Sequence, residues 1–153
     1  MSNDEQQFCT FFIDSLFFGV DVMRVQEVLR GQEMTRVPLA PAVVQGLINL
    51  RGQIVTAIDL RRRLELPPRA PDHVSMNVVV RTDDGAVSLL VDDIGDVIKV
   101  QTDTFEPPPE TLTGVTRHLI RGIHKLEKQL LLVLDIDRTV DLASNGARKR
   151  EAA

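Results

Sequence analysis

Apolar and polar positions alternate along this chain in short runs, and nearly every run ends at a turn-forming residue. Phe8–Ile13 and Leu16–Val20 flank Asp14-Ser15, which predicts a two-residue hairpin. Val22, Val25 and Val28 recur at three-residue steps, so a short helical turn passing into a strand is expected over Asp21–Leu29. Thr35–Pro41 is punctuated by proline and reads as extended. Pro41 suits the first position of a short helix, where its missing N–H costs nothing, with Val43, Val44 and Leu47 on the buried face. Gln53–Ile58 is a near-continuous apolar strand. Leu60 and Leu64 then frame one amphipathic turn, and Pro67, Pro68 and Pro71 forbid its continuation. Val74–Arg81 and Ala86–Val91 flank Thr82-Asp83-Asp84-Gly85, a second hairpin signal, and Ile94–Val100 is a further strand. Thr102–Val115, with Pro107, Pro108, Pro109 and Gly114, reads as a loop. His118–His124 and Gln129–Leu134 read as strands and Asp135–Leu142 as a turn, with a polar tail from Ala143.

Many short strands with only stub helices imply an all-β protein built from two small barrels or sandwiches. The chain also repeats itself. A shift of about 76 positions, treated as an internal repeat, sets Gly46 on Gly122, Leu47 on Ile123, Gln53 on Gln129, Asp59 on Asp135 and Arg62 on Arg138. Ile54, Val55 and Ile58 meet Leu130, Leu131 and Leu134, so apolar character keeps its register; a looser echo pairs Val25–Val28 with Ile94–Val97. The first repeat runs roughly over 8–66 and the second over 74–142, with the proline-rich seam between them. Each half is only about 60–70 residues, marginal for a core of its own, so the halves are expected to pack together or exchange strands. Only the first half carries Asn49-Leu50-Arg51-Gly52.

Composition narrows the function classes. The 18 Lys and Arg against 22 Asp and Glu give a net charge of −4, which disfavours general attraction to nucleic acid or an anionic membrane. Five of the six Phe crowd positions 8–18 among apolar neighbours, a core pattern and not the spaced aromatics of a single-strand binder. The single cysteine, Cys9, forms no internal disulfide and has no activating neighbour in sequence, so it reads as a buried thiol in a reducing compartment. No run approaches the roughly 18 apolar residues of a membrane span, and the polar N-terminus is not a signal peptide, so a cytoplasmic protein is expected.

Little in the chain reads as catalytic. His73, His118 and His124 lack metal-ligand spacing, and His118 and His124 are expected at the surface; no metal or cofactor is expected. Asp92 and Asp93 are adjacent on a strand and point to opposite faces. Asp59 and Asp135 each precede a short amphipathic turn and suit N-caps worth about 1 kcal/mol. Arg61-Arg62-Arg63 reads as a solvated face. What remains is the motif at 49–52. Gly52 suits a turn with positive φ, Asn49 can hold that turn, and Arg51 projects from it as a recognition residue, or pairs internally with an acid such as Glu27, or both.

These residues resemble the CheW-like domain family of bacterial chemotaxis coupling proteins over nearly the whole chain. The resemblance is carried by Phe8-x3-Phe12 with Gly19-Val20, Val25-x-Glu27-Val28, Pro38-x2-Pro41, Gly46-x2-Asn49-Leu50-Arg51-Gly52-x-Ile54 and Ile58-Asp59-Leu60. Later come Val91-Asp92, Gly122 and Leu134-Asp135. Thr56 departs from the family, which commonly has proline there. The resemblance implies one domain over 7–143 with flexible tails at 1–6 and 144–153. Within it lie two intertwined five-stranded SH3-like β-barrels, with short helices at the barrel ends. It implies a free-standing, non-catalytic adaptor without cofactors, cytoplasmic and recruited to membrane-associated receptor arrays. Its implied partners are the helical tip of a methyl-accepting chemoreceptor and the regulatory domain of a CheA-type histidine kinase. Carried over residue by residue, the receptor-binding surface comprises Val25, Glu27, Gly46, Asn49, Leu50, Arg51 and Gly52, with kinase-facing patches one on each barrel. A nucleic-acid-binding small barrel is the competing reading, disfavoured by the acidic balance.

Overall fold

The computed structural model describes residues 4–142. Its N-terminal half contains β1 (Glu5–Ile13), β2 (Leu16–Asp21), β3 (Val25–Arg30), β4 (Val44–Leu50), β5 (Gln53–Asp59) and the one-turn helix α1 (Leu60–Arg63). Its C-terminal half contains β6 (Met76–Thr82), β7 (Gly85–Val91), β8 (Asp93–Gln101), β9 (Phe105–Glu106), α2 (Gly114–Leu119), β10 (Ile120–Lys125), β11 (Leu130–Leu134) and α3 (Ile136–Val140). Glu5 and Gln6, expected in the N-terminal tail, instead open β1, where they pair with Gln101 and Val100. The tail expected over 144–153 lies outside the described residues.

The strands form two sheets that do not follow the halves. One has the order β3-β6-β7-β5-β4, the other β8-β1-β2-β11-β10-β9. The hairpin β1–β2 pairs with β8 on one side and runs parallel to β11 on the other. Reciprocally, the hairpin β6–β7 is inserted between β3 and β5. Each half therefore lends a hairpin to the other's sheet, and the barrels are intertwined. The second sheet exceeds five strands by the two-residue β9.

Both barrels close by the same device. After β3 the chain crosses back and pairs Thr35 with Leu47 of β4; after β8 it crosses back and pairs β9 with β10 at Ile123. Leu47 and Ile123 are equivalent in the internal repeat. The glycine before each of them lies under the closing segment. A Cβ on Gly46 would stand 2.8 Å from Thr35 O, and one on Gly122 would collide with the Phe105 ring and Glu106 O. The repeated glycine is thus a close-approach requirement.

Three apolar clusters fill the molecule. Phe11, Ile13, Phe18, Val78, Val80, Leu89 and Leu132 belong to a core between the sheets. Ile48, Leu50, Val55, Val79 and Leu90 fill the first barrel, and Phe8, Phe17, Val100, Leu131 and Val133 the second. Successive residues of β6 serve different cores, Val78 and Val80 one and Val79 the other. Strands covered on both faces read as continuous apolar runs, as parallel or central strands do.

Two stretches differ from expectation. Residues 44–50 are strand β4, not a helix. Its burial alternates with period two, and a bulge at Val44–Gly46 shifts the register against β5. Val43, Val44 and Leu47 fit a helical spacing only because that bulge interrupts the alternation. Likewise Gly114–Leu119 is helix α2, and β10 begins only at Ile120. No described helix is long and apolar enough to cross a membrane.

Candidate functional site

The motif at 49–52 is the tip of the β4–β5 hairpin, not a helix-to-strand junction. Leu50 pairs with Gln53, and the two residues between them, Arg51 and Gly52, have φ of 52° and 87°. Positive φ at both positions is the type I′ turn that matches strand twist in a two-residue hairpin. Glycine adopts it freely, whereas an arginine there costs about 1 kcal/mol. Asn49 Oδ1 accepts a hydrogen bond from the Gly52 N–H at 2.9 Å, so the side chain before the turn secures it.

From this tip Arg51 reaches to β3, at the other edge of the same sheet. Its Nη1 and Nη2 donate to Glu27 Oε2 and Oε1 at 2.8 and 2.6 Å, a two-pronged pairing that fixes the guanidinium plane. Hydrogen bonding from Arg51 holds the Glu27 carboxyl below the usual carboxylate range. Glu27 stands opposite Val79, whose side chain belongs to the first barrel's interior, so the pair lies across that barrel's mouth. A bulge at Val25–Glu27 re-aims the strand there. The Arg51 side chain remains 75% exposed while that of Glu27 is 16% exposed. Internal pairing and outward presentation therefore coexist.

The other residues carried over from the family divide by burial. Asn49 and Gly52 are exposed and Val25 is half-buried, whereas Gly46 and Leu50 are buried. Leu50 packs inside the first barrel and Gly46 makes room for the closing segment. Neither is exposed; both support the hairpin that carries Arg51. Gly46→Ala is expected to displace the 34–35 crossing and destabilise the protein by about 1–3 kcal/mol, read as a lowered melting temperature. Gly52→Ala, with no neighbour within 4 Å of the added atom, meets only the backbone cost of φ 87°.

Ile54 was missed as a surface residue. It stands opposite Asn49 across the hairpin and is 60% exposed, although the sequence assigns it to a buried run. With Arg51-Gly52 read as a two-residue turn, alternation alone would have placed it outside. Val28 was also missed: it pairs with the core residue Val78 yet surfaces at the sheet edge, as its repeat equivalent Val97 does beside Cys9.

Elsewhere the structure both supports and corrects. Asp59 and Asp135 cap their helices, accepting from Arg61 N–H and Arg138 N–H. Burial pushes the Cys9 thiol up. The arginine triplet is not a solvated face, because α1 packs Leu60 and Leu64 into the core and remote chain segments cover its polar side. Arg61 pairs with the buried Asp92, Arg63 donates to the Arg138 and Thr139 carbonyls near the end of α3, and only Arg62 is exposed. His118 is exposed, but His124 is buried between Phe8 and Phe105. Among the described residues no three metal-ligating side chains stand together.

The comparisons with known proteins agree with this architecture. The model of the CheW-like domain matches residues 7–144. The chain is 32% identical over 141 residues to the chemotaxis protein CheW of Treponema pallidum (strain Nichols), covering 89% of this chain and 83% of that one. It is 31% identical over 140 residues to the chemotaxis protein CheW of Bacillus subtilis (strain 168), covering 92% and 90%. The crystal structure of the scaffolding protein TtCheW from Thermoanaerobacter tengcongensis matches with a TM-score of 0.82 at 26% identity, covering 91% of this chain and 94% of that one. With the family's motif seated on a hairpin tip and its two barrels sharing hairpins, this chain belongs to the CheW-like domain family.

Proposed function

We propose that this protein is a non-catalytic adaptor that joins the helical cytoplasmic tips of chemoreceptors to the regulatory domain of a chemotaxis histidine kinase. The observation that carries this reading is Arg51, an exposed cation held in one orientation by Glu27 on a conformationally demanding turn. A rigid, outward-facing guanidinium is suited to recognition, because little entropy remains to be lost on binding. The names of the relatives, chemotaxis proteins and a scaffolding protein, point the same way. On the opposite face of β3 from Glu27, Val28 is exposed and offers a receptor helix an apolar contact. Such contacts are small and individually weak, and gain strength by repetition in an array.

The test is calorimetry of the purified protein against two probes, a chemoreceptor cytoplasmic fragment and a chemotaxis kinase regulatory domain. Both are expected to bind, and Val28→Asp is expected to weaken the receptor fragment by about tenfold while sparing the kinase domain. Failure of the unmodified protein to bind either probe would overturn the reading. Equal loss of both on Val28→Asp would remove Val28 from the receptor surface.

A further inference from the structure

The second barrel holds a buried histidine that the adaptor reading does not use. His124 is 1% exposed, with its ring facing the barrel interior beside Phe8 and under Phe105. Its Nδ1 lies 2.9 Å from Thr104 Oγ1. Thr104 has a single hydroxyl proton and donates it to Gln101 O at 2.8 Å. Both contacts are hydrogen bonds only where the ring supplies the second proton, which favours the neutral tautomer with hydrogen on Nδ1. Nε2 is then a bare lone pair, and it is buried without a partner. A proton there would create a charged N–H facing apolar surroundings, with nothing to accept from it.

The segment this ring touches is weakly held. Residues 102–106 form a 3-10 turn and then β9, which meets β10 through only Ile123 with Glu106 and His124 with Phe105. An exposed Lys125–Glu106 pair at 3.4 Å, the bonds from Thr102 to Asp4 O and the seating of the Phe105 ring over Gly122 add to these ties. The charged groups on the surrounding elements are Asp103 and Glu106 on this segment, Arg121 and Lys125 on β10, Asp93, Asp96 and Lys99 on β8 and Glu5 on β1. None forms an ion pair with the ring, and burial alone holds His124 below the ordinary histidine range. The neighbouring Phe8 and Phe105 rings meet it at interplanar angles of 54° and 62°, and neither offers an acceptor atom for a second N–H.

The geometry points to a pH-sensitive strap: with His124 neutral, residues 102–106 lie along β10 and close the second barrel, and a proton on Nε2 releases them. Release uncovers the free edge of β10 and the cavity of about 180 Å³ lined by Gln6, Phe8, Thr102, Phe105, Arg121 and Val133. The sign follows from linkage. The closed form binds the proton more weakly than the open form, so closure is fully favoured above the free-histidine value of about 6.5 and weakens as pH falls through it. The inference does not depend on the adaptor reading.

The test uses NMR of the full chain, reading ring nitrogen shifts and amide hydrogen exchange corrected for intrinsic rates. The Nδ1–H tautomer is expected, with His124 titrating below the free-histidine value of about 6.5. The opening constant of the β9–β10 amides is expected to rise by up to about tenfold between pH 7.5 and 5.5, and to stay flat in His124→Phe. An Nε2–H tautomer, a His124 titration at or above the free-histidine value of about 6.5, or a rise below about twofold would each overturn the proposal, as would an equal rise in His124→Phe. The first three outcomes need only the unmodified protein, so a misfolded variant leaves the proposal decidable.

Discussion

Arg51→Glu is expected to weaken binding of the receptor fragment by at least about tenfold, as a central charged anchor does, while the protein stays folded. The fold is spared because Arg51 is three-quarters exposed and its backbone conformation is no worse for glutamate than for arginine. Binding suffers because the reversed charge repels Glu27, and the corner then presents two mobile carboxylates instead of one oriented cation. Calorimetry of the variant, with circular dichroism for the fold, reads both quantities. The exchange of the two charges, Glu27→Arg with Arg51→Glu, separates the two roles of the residue. It restores an internal ion pair but places the acid outward. If the exchanged protein bound as the original does, Arg51 would matter only as a clasp across the barrel mouth. Continued loss of binding would show that the outward cation itself is read.

The architecture was legible from the internal repeat more than from any single element. Gly46 and Gly122 mark the two barrel closures, and Asp59 and Asp135 mark the two helix starts, so a shift of one half onto the other reveals the pairing of structural roles. The Arg51–Glu27 contact was legible only as one of two alternatives, because nothing local in the sequence joins residues 24 positions apart and only the sheet brings β3 and the β4–β5 tip together. What escaped has local causes. A bulge in β4 gave Val43, Val44 and Leu47 the spacing of a helix. Burial of Arg61, Arg63 and His124 escaped because exchange of hairpins between the halves places α1 and the interior of the second barrel against chain segments remote in sequence. Position within a short amphipathic turn says which side is polar, but not whether another sheet covers it.

That covered side holds the second large effect. Asp92, between β7 and β8, is 7% exposed and accepts from Arg61 Nε and Nη2 at 3.0 and 2.9 Å and from the Asp14 N–H at 2.7 Å. Arg69 Nε stands 2.8 Å from its other flank, off the line of a good hydrogen bond but well placed as a counter-charge. Arg61 also donates to Pro67 O, and Arg69 to Asp59 and to Leu90 O, so one carboxylate ties α1, the proline seam and the β1–β2 turn together. Asp92→Asn removes the charge and leaves two largely buried guanidiniums facing each other. The expected loss is about 3 kcal/mol, a fall in melting temperature of about 6–12 °C for a chain of this length. Burial pushes the Asp92 carboxyl up, but the hydrogen bonds from Arg61 and Asp14 and the charges of Arg69 and Arg61 outweigh it, and the net direction is down. Its contribution is therefore present above the ordinary aspartate value of about 3.9 and is lost as pH falls below it. The acid limb of a stability–pH curve should flatten in Asp92→Asn. A further variant, Asp92→Leu with Arg61→Met and Arg69→Met, tests why the loss occurs. If the cost lies in stranded charges, replacing all three recovers most of the stability, since apolar packing substitutes well for a buried ionic cluster. If the triple variant is as unstable as Asp92→Asn, the hydrogen bonds to Pro67, Leu90 and Asp14 are what hold the seam.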